Sequence, residues 1–148
     1  VPLRHAILRP DLPLDACVND YDHAEGALHL AAFEGRDDLI VGVGSILPDP
    51  LLDPPAAGQP IHWVIHAMAV HPHYRRAGVG AALLTSLIDY VWQCSAPLAS
   101  IRLDSVPSAI GFYRRHGFVA AGSREYGGPL PMRLSAAATN RRSFLRSR

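Results

Sequence analysis

Apolar and polar positions along this chain lay out its elements in order. Residues 3 to 9 (Leu-Arg-His-Ala-Ile-Leu-Arg) predict a short helix, stopped by Pro10 and Pro13, which remove donors that a continuing helix needs. Residues 14 to 25 are polar and irregular, with Asp20, Asp22, His23 and Glu25. Residues 27 to 33 and 39 to 47 read as two strands, with Glu34-Gly35-Arg36-Asp37-Asp38 as the turn of a hairpin. Pro48, Pro50, Pro54, Pro55 and Pro60 keep residues 48 to 60 out of a sheet interior and predict an exposed loop. Residues 61 to 70 form the next strand. From Val79, apolar residues recur at Leu83, Leu84, Leu87, Ile88, Val91 and Trp92, the one-sided stripe of a helix lying on a sheet. A strand over 99–104 follows, then a short helix over 108–116 with Gly117 as its left-handed terminator. Strands over 118–125 and 130–134 close the sheet. The order αββ, then βαβαββ, is α/β or α+β in class. It predicts one domain over residues 1–135, with a basic tail over 136–148.

Length and composition narrow the function classes. A chain of 148 residues can bury a real core. Its net charge of +1 makes no case for nucleic acid over the body of the protein. Arg141, Arg142, Arg146 and Arg148 do cluster at the end, where a solvated terminus is the plain reading. Cys17 and Cys94 match no metal spacing and read as free thiols of a cytoplasmic protein. No stretch approaches the roughly 20 apolar residues that span a bilayer, and no signal peptide is visible. The chain starts with Val1-Pro2 rather than Met, which suggests a start removed or left out.

The stretch with most chemical content is Met68-Ala-Val-His-Pro-His-Tyr-Arg-Arg-Ala-Gly-Val-Gly80. An apolar strand runs into a glycine-bearing turn, and a helix opens at once. Glycines remove the Cβ atoms that would block an anion, and the first-turn N–H groups point at it. The helix dipole adds about half a positive charge there. A nucleotide-binding P-loop is excluded, because Gly-x-x-x-x-Gly-Lys-Ser/Thr is absent and the chain has no lysine.

Arg75-Arg76-Ala77-Gly78-Val79-Gly80 resembles motif A of the GNAT superfamily of N-acetyltransferases, Arg/Gln-x-x-Gly-x-Gly/Ala. Ala109, Phe112, Tyr113, Gly117 and Phe118 resemble its motif B, Ala-x-x-Phe-Tyr-x-x-x-Gly-Phe. Both occur in the expected order, across roughly residues 61 to 122. Leu3-Arg4-His5, Ile7-Leu8-Arg9-Pro10, His29-Leu30-Ala31-Ala32 and Gly128-Pro129-Leu130-Pro131-Met132 are similar to small bacterial members of the ElaA-like type, although Pro131 replaces a frequent histidine. The resemblance implies a mixed, splayed central sheet with helices on both faces. The family's first strand has no room here and is expected to be missing.

The resemblance also implies acetyl-CoA as cosubstrate, no metal, and an amine of a small molecule or protein as acceptor. It leaves room for a homodimer. Backbone groups of Met68, Ala69 and Val70 would hold the pantetheine arm and acetyl group. The N–H groups of Arg75, Arg76, Ala77, Gly78, Val79, Gly80 and Ala81 would wrap the pyrophosphate, with the two guanidiniums adding charge. Tyr113 would give its phenolic proton to the leaving thiolate; a pKa of about 10 suits a donor at neutral pH. Acetyl transfer to an amine also calls for a general base. Neither strand 61–68 nor strand 100–104 carries a glutamate. His62 and His66 share a face by period-two alternation, and His66 is the base put forward. His29, Glu25 and Asp104 are further candidates, and water relays without a dedicated base stay open. Val106 stands where many family members have an asparagine that contacts CoA. A second class of function also stays open: a CoA-binding sensor or interaction module without turnover.

Overall fold

The computed structural model describes residues 2–18, 20–35, 39–95 and 98–136. The basic tail after Ala136 therefore lies outside the described residues, as does most of the predicted hairpin turn. The chain packs as two compact units. One holds the residues up to Pro48 with Ile65–Tyr90; the other holds Asp49–Val64 with the residues from Val91 on.

In the first unit, helix α1 (Pro2–Leu8) ends two residues before Pro10. Two single 3₁₀ turns, Leu14–Cys17 and Asp20–His23, give form to the polar stretch that periodicity left irregular. Strands β1 (Leu28–Glu34) and β2 (Leu39–Pro48) pair antiparallel from Leu28↔Ile46 to Glu34↔Leu39. The register shifts between Ala32 and Phe33, which leaves Val41 as the extra residue of β2. Its carbonyl accepts from the His71 amide at 2.8 Å, so the irregularity ties β2 to the end of β3 (Trp63–Val70). β3 neighbours β2 in the sheet.

Helix α2 (Val79–Cys94) buries Leu83, Leu84, Leu87 and Val91 of the predicted stripe, while Ile88 and Trp92 are half-buried. Each buried leucine contributes about 1.5–3 kcal/mol by removal from water. The helix can come this close because β2 carries glycines beneath it. A Cβ on Gly42 would lie 2.7 Å from Val79 Cγ1, and one on Gly44 would lie 2.9 Å from Met68 Sδ and 3.1 Å from Leu87 Cδ1.

In the second unit, the start of β3 runs parallel to β4 (Ser100–Ser105) through Trp63↔Ile101 and Val64↔Arg102. β4 pairs antiparallel with β6 (Leu130–Ser135) from Ser100↔Ser135 to Ser105↔Leu130. β5 (Val119–Ala120) pairs with β6 through two residues. It is much shorter than the predicted strand over 118–125. Gly122, Gly127 and Gly128 favour turns over a ladder, and Arg124 closes the loop by donating to the carbonyls of Gly127 and Gly128. Ile101, Leu103, Phe118, Met132 and Leu134 form this unit's core.

Helix α3 (Ile110–Arg115) is preceded by a 3₁₀ turn over Pro107–Ala109. It ends as the sequence requires. Gly117 has φ 94°, its N–H donates to Arg114 O, and the Phe118 N–H donates to Tyr113 O at 3.1 Å. This is a Schellman closure, and the Tyr113 and Phe118 rings supply its apolar contact at 5.7 Å.

Candidate active site

The turn between β3 and α2 is built as an anion receptor. His71 caps a 3₁₀ turn over Pro72–Tyr74, and its ring accepts from the His73 amide at 3.3 Å. The Tyr74 hydroxyl donates to the Glu34 carboxylate, which pins the turn to the end of β1. The chain then passes through Arg76 at φ 63° and Gly78 at φ 83°. Glycine takes that geometry freely, whereas a non-glycine residue held there costs of order 1–3 kcal/mol. The first helical bond runs from the Ala82 amide to Gly78 O at 2.9 Å. The N–H groups of Arg76, Ala77, Gly78, Val79, Gly80 and Ala81 have no backbone acceptor among the described residues. They stand at the positive end of a 16-residue helix. A cavity of about 490 Å³ opens beside this turn, between Ala77, Gly78, Val79 and Ser86 on one side and Leu30, Ala31 and Ala32 of β1 on the other.

Arg75, expected to add charge beside a diphosphate, makes one contact within the chain. Arg75 turns its side chain back, and Nε donates to Val70 O at 3.1 Å. Its guanidinium therefore braces the strand end, and one backbone acceptor expected to face a ligand is occupied from within.

Along β3 the period-two alternation breaks. Met68 Sδ lies under α2, on the face of β2 to which Gly44 belongs. His66 instead sits edge-on against Tyr21, ring centroids 5.6 Å apart, and feels the charges of Arg4, Asp22 and His29. His29 bonds through Nδ1 to Ser45 Oγ at 2.8 Å, and Ser45 follows Gly44 on the opposite face of β2. Residues 66 and 68 thus point to opposite faces, where strict alternation would put them on the same one.

His66 meets a group of residues drawn from three separate elements. Arg4 of α1 and Asp22 form a bidentate pair, with Nη1 to Oδ1 at 2.7 Å. His29 Nε2 lies 3.0 Å from the Asp22 carbonyl. Partial loss of water on one side of the ring holds the His66 pKa below the ordinary imidazole value, and Arg4 adds to that while Asp22 opposes it. The ring is therefore neutral at pH 7 and able to accept a proton. Sequence reasoning named His29 but missed Tyr21, Arg4 and Asp22. The only local signal was a run of acidic and aromatic residues in an irregular stretch.

Tyr113 lies at 8% exposure, packed edge-on against Phe112 at 5.1 Å and Phe118. Burial pushes its pKa up to about 12, so the phenol keeps its proton through neutral pH and can only donate. Val106 is 56% exposed and heads the 3₁₀ turn before α3 without a side-chain cap, a role its side chain cannot fill. Glu25 and Asp104 are exposed. His62 bonds through Nδ1 to Ser100 Oγ at 2.9 Å.

The loop after β2 also departs from expectation at its first residue. Asp49 is buried and accepts from Arg102, with Nη2 to Oδ1 at 2.8 Å and a second bond from Nε to Oδ2. It also accepts the Leu51 amide. The Arg102 guanidinium holds its carboxyl below the usual range. Proline content marked the segment as loop but carried no information about a charge pair closed 53 residues away.

Among the described residues, no group of three or more His, Cys, Asp or Glu could hold a metal ion, and no helix is long and apolar enough to cross a membrane.

The profile of the acetyltransferase (GNAT) family matches residues 4–118. An uncharacterised N-acetyltransferase of Bacillus subtilis, YitI, is 33% identical over 84 residues. That match covers 55% of this chain and 52% of the relative, so the chain spans about half the relative's length. Escherichia coli ElaA has a similar structure, with a TM-score of 0.70 at 20% identity over 89% of this chain and 84% of that one. An aminoglycoside 6'-N-acetyltransferase complexed with coenzyme A gives 0.67 at 15% identity, over 91% and 87%. At such identities the likeness is one of fold.

Proposed function

Because the chain belongs to the acetyltransferase (GNAT) family, we propose that it transfers an acetyl group from acetyl-CoA to a primary amine of a small molecule or protein. The observation that carries this reading is the turn from Arg76 to Ala81, whose N–H groups have no backbone acceptor among the described residues and stand at a helix N-terminus. A diphosphate supplies the acceptors those donors want. The coenzyme A bound to the aminoglycoside acetyltransferase of like fold supports the same ligand here.

The residues divide the work by chemistry. Backbone groups of Met68 and Ala69 lie where β3 breaks its alternation, and in this reading they hold the acyl arm. Val70 O already serves Arg75. The thioester supplies an activated acetyl group. His66, neutral at pH 7, takes the proton that the attacking amine must lose. Tyr113, protonated at any physiological pH, gives one to the departing thiolate.

The test is acetyl-CoA titration, with thiol release measured against a panel of amines. Gly80→Glu is the informative variant. A carboxylate in the first helical turn suits the dipole and leaves the helix intact, yet it repels a diphosphate. Coenzyme A affinity should fall at least tenfold. Undiminished affinity in that variant rules out the turn as the site. Binding by the unaltered chain with no thiol release on a broad panel assigns it instead to the non-catalytic class.

A further inference from the structure

The second unit holds a cavity of about 260 Å³ that acetyl transfer leaves unused. Arg102 and Arg133 both line it and face each other directly in the β4–β6 register. Like charges opposed across a strand pair repel. Asp49, also in the wall, answers only one of them, since its two oxygens are taken by Arg102 and the Leu51 amide. Asp104, exposed and 3.9 Å from Arg102 Nη1, lies on the same arginine. Arg133 has no hydrogen bond or ion pair among the described residues. The lining thus sets two guanidiniums against one committed carboxylate, which excludes a cation as ligand.

The remaining walls narrow the chemistry. His62 uses Nδ1 on Ser100, which leaves Nε2 as the ring nitrogen available to a ligand. Trp63 donates Nε1 to Ser95 Oγ at 2.7 Å, so its indole offers the cavity carbon rather than a donor. Leu52 adds apolar surface at the rim. The volume equals nearly nine waters at about 30 Å³ each, room enough for a short organic acid.

We infer that this cavity binds a small monocarboxylate with a short hydrocarbon body. The carboxylate lies on Arg133 with His62 Nε2 beside it, and the hydrocarbon lies against Trp63 and Leu52. A guanidinium presents two parallel donors that a carboxylate matches, and the apolar wall favours a carboxylic acid over inorganic phosphate.

The test needs no coenzyme A, so it stands or falls apart from the acetyl-transfer reading. The full chain is titrated calorimetrically with sodium butyrate and, separately, with inorganic phosphate at matched ionic strength. Butyrate should bind saturably and phosphate at least tenfold more weakly. Arg133→Gln, an exposed strand position, should weaken butyrate at least tenfold, and Arg9→Gln should change nothing. Leu52→Glu, on the exposed loop, places a repelling carboxylate at the mouth and should weaken it independently of any effect of Arg133 on folding. Absence of saturation, equal affinity in the Arg133 or Leu52 variant, or a preference for phosphate overturns the assignment.

Discussion

Replacing Gly42 with alanine tests the contact that seats α2 on the sheet. The added Cβ would lie 2.7 Å from Val79 Cγ1 and 2.9 Å from Leu83 Cδ1. Carbon pairs rest at about 3.5–4.0 Å, so both neighbours must yield by the better part of an ångström. Val79 is β-branched and stiff at χ1, and it opens the helix, so it has little room to turn away. Overpacking of this kind costs about 1–3 kcal/mol. Loss of glycine's freedom in the unfolded chain returns about 0.4–1 kcal/mol. The net expectation is a loss of about 1–2 kcal/mol. With a urea m-value of about 2 kcal/mol/M, the unfolding midpoint should fall by roughly 0.5–1 M. Gly42→Ala combined with Val79→Ala removes the nearer clash and should recover part of the loss, a non-additivity expected of touching residues. Coenzyme A affinity should drop in the single variant as well, because Val79 belongs to the proposed anion turn. A Gly42→Ala protein as stable as the unaltered one, with an unchanged m-value, refutes the packing argument. Gly44→Ala should cost less, since its nearest neighbour is the flexible thioether of Met68.

Three further outcomes are expected. Tyr113→Phe should lower kcat by about 10²–10⁴ while leaving coenzyme A affinity nearly unchanged; its folded pKa of about 12 against about 10 unfolded also means that its stabilising effect is full below pH ~10 and is lost between ~10 and ~12, so pH-dependent unfolding of the variant should lack that alkaline slope. His66→Gln should remove the acidic limb of kcat/KM, which in the unaltered protein should fall as pH drops through a pKa below 6.5; an unmoved limb would exclude His66 as the base. Asp49→Asn should destabilise by about 1–3 kcal/mol near neutrality, and because the folded carboxyl titrates below its unfolded value, the difference between the two proteins should persist above pH ~4 and close as pH falls through the folded pKa in acid unfolding.

What the sequence determined by itself is local in origin. The stripe from Leu83 to Val91, the prolines that close α1, the Schellman glycine at Gly117 and the strand–turn–helix around Gly78 all follow from periodicity and backbone sterics within a few residues, and the structure has them where they were expected. Motif spacing carried the family in the same way. The tertiary structure alone decided what depends on distant partners. His66 and Met68 lie on opposite faces of β3, and no local pattern signals a change of face inside a strand whose residues are all acceptable on either side. The bond from Arg75 Nε to a carbonyl five residues back is likewise invisible in the motif, because it depends on how the turn folds over the end of the strand. Asp49 sits in a proline-rich loop, yet it is buried because Arg102, brought in by the β3–β4 pairing, removes the cost of burying its charge. Period and turn chemistry act within a single element and can be read from it. Charge pairing, close approach and the environment of an ionisable group depend on which elements meet, and only the folded chain supplies that.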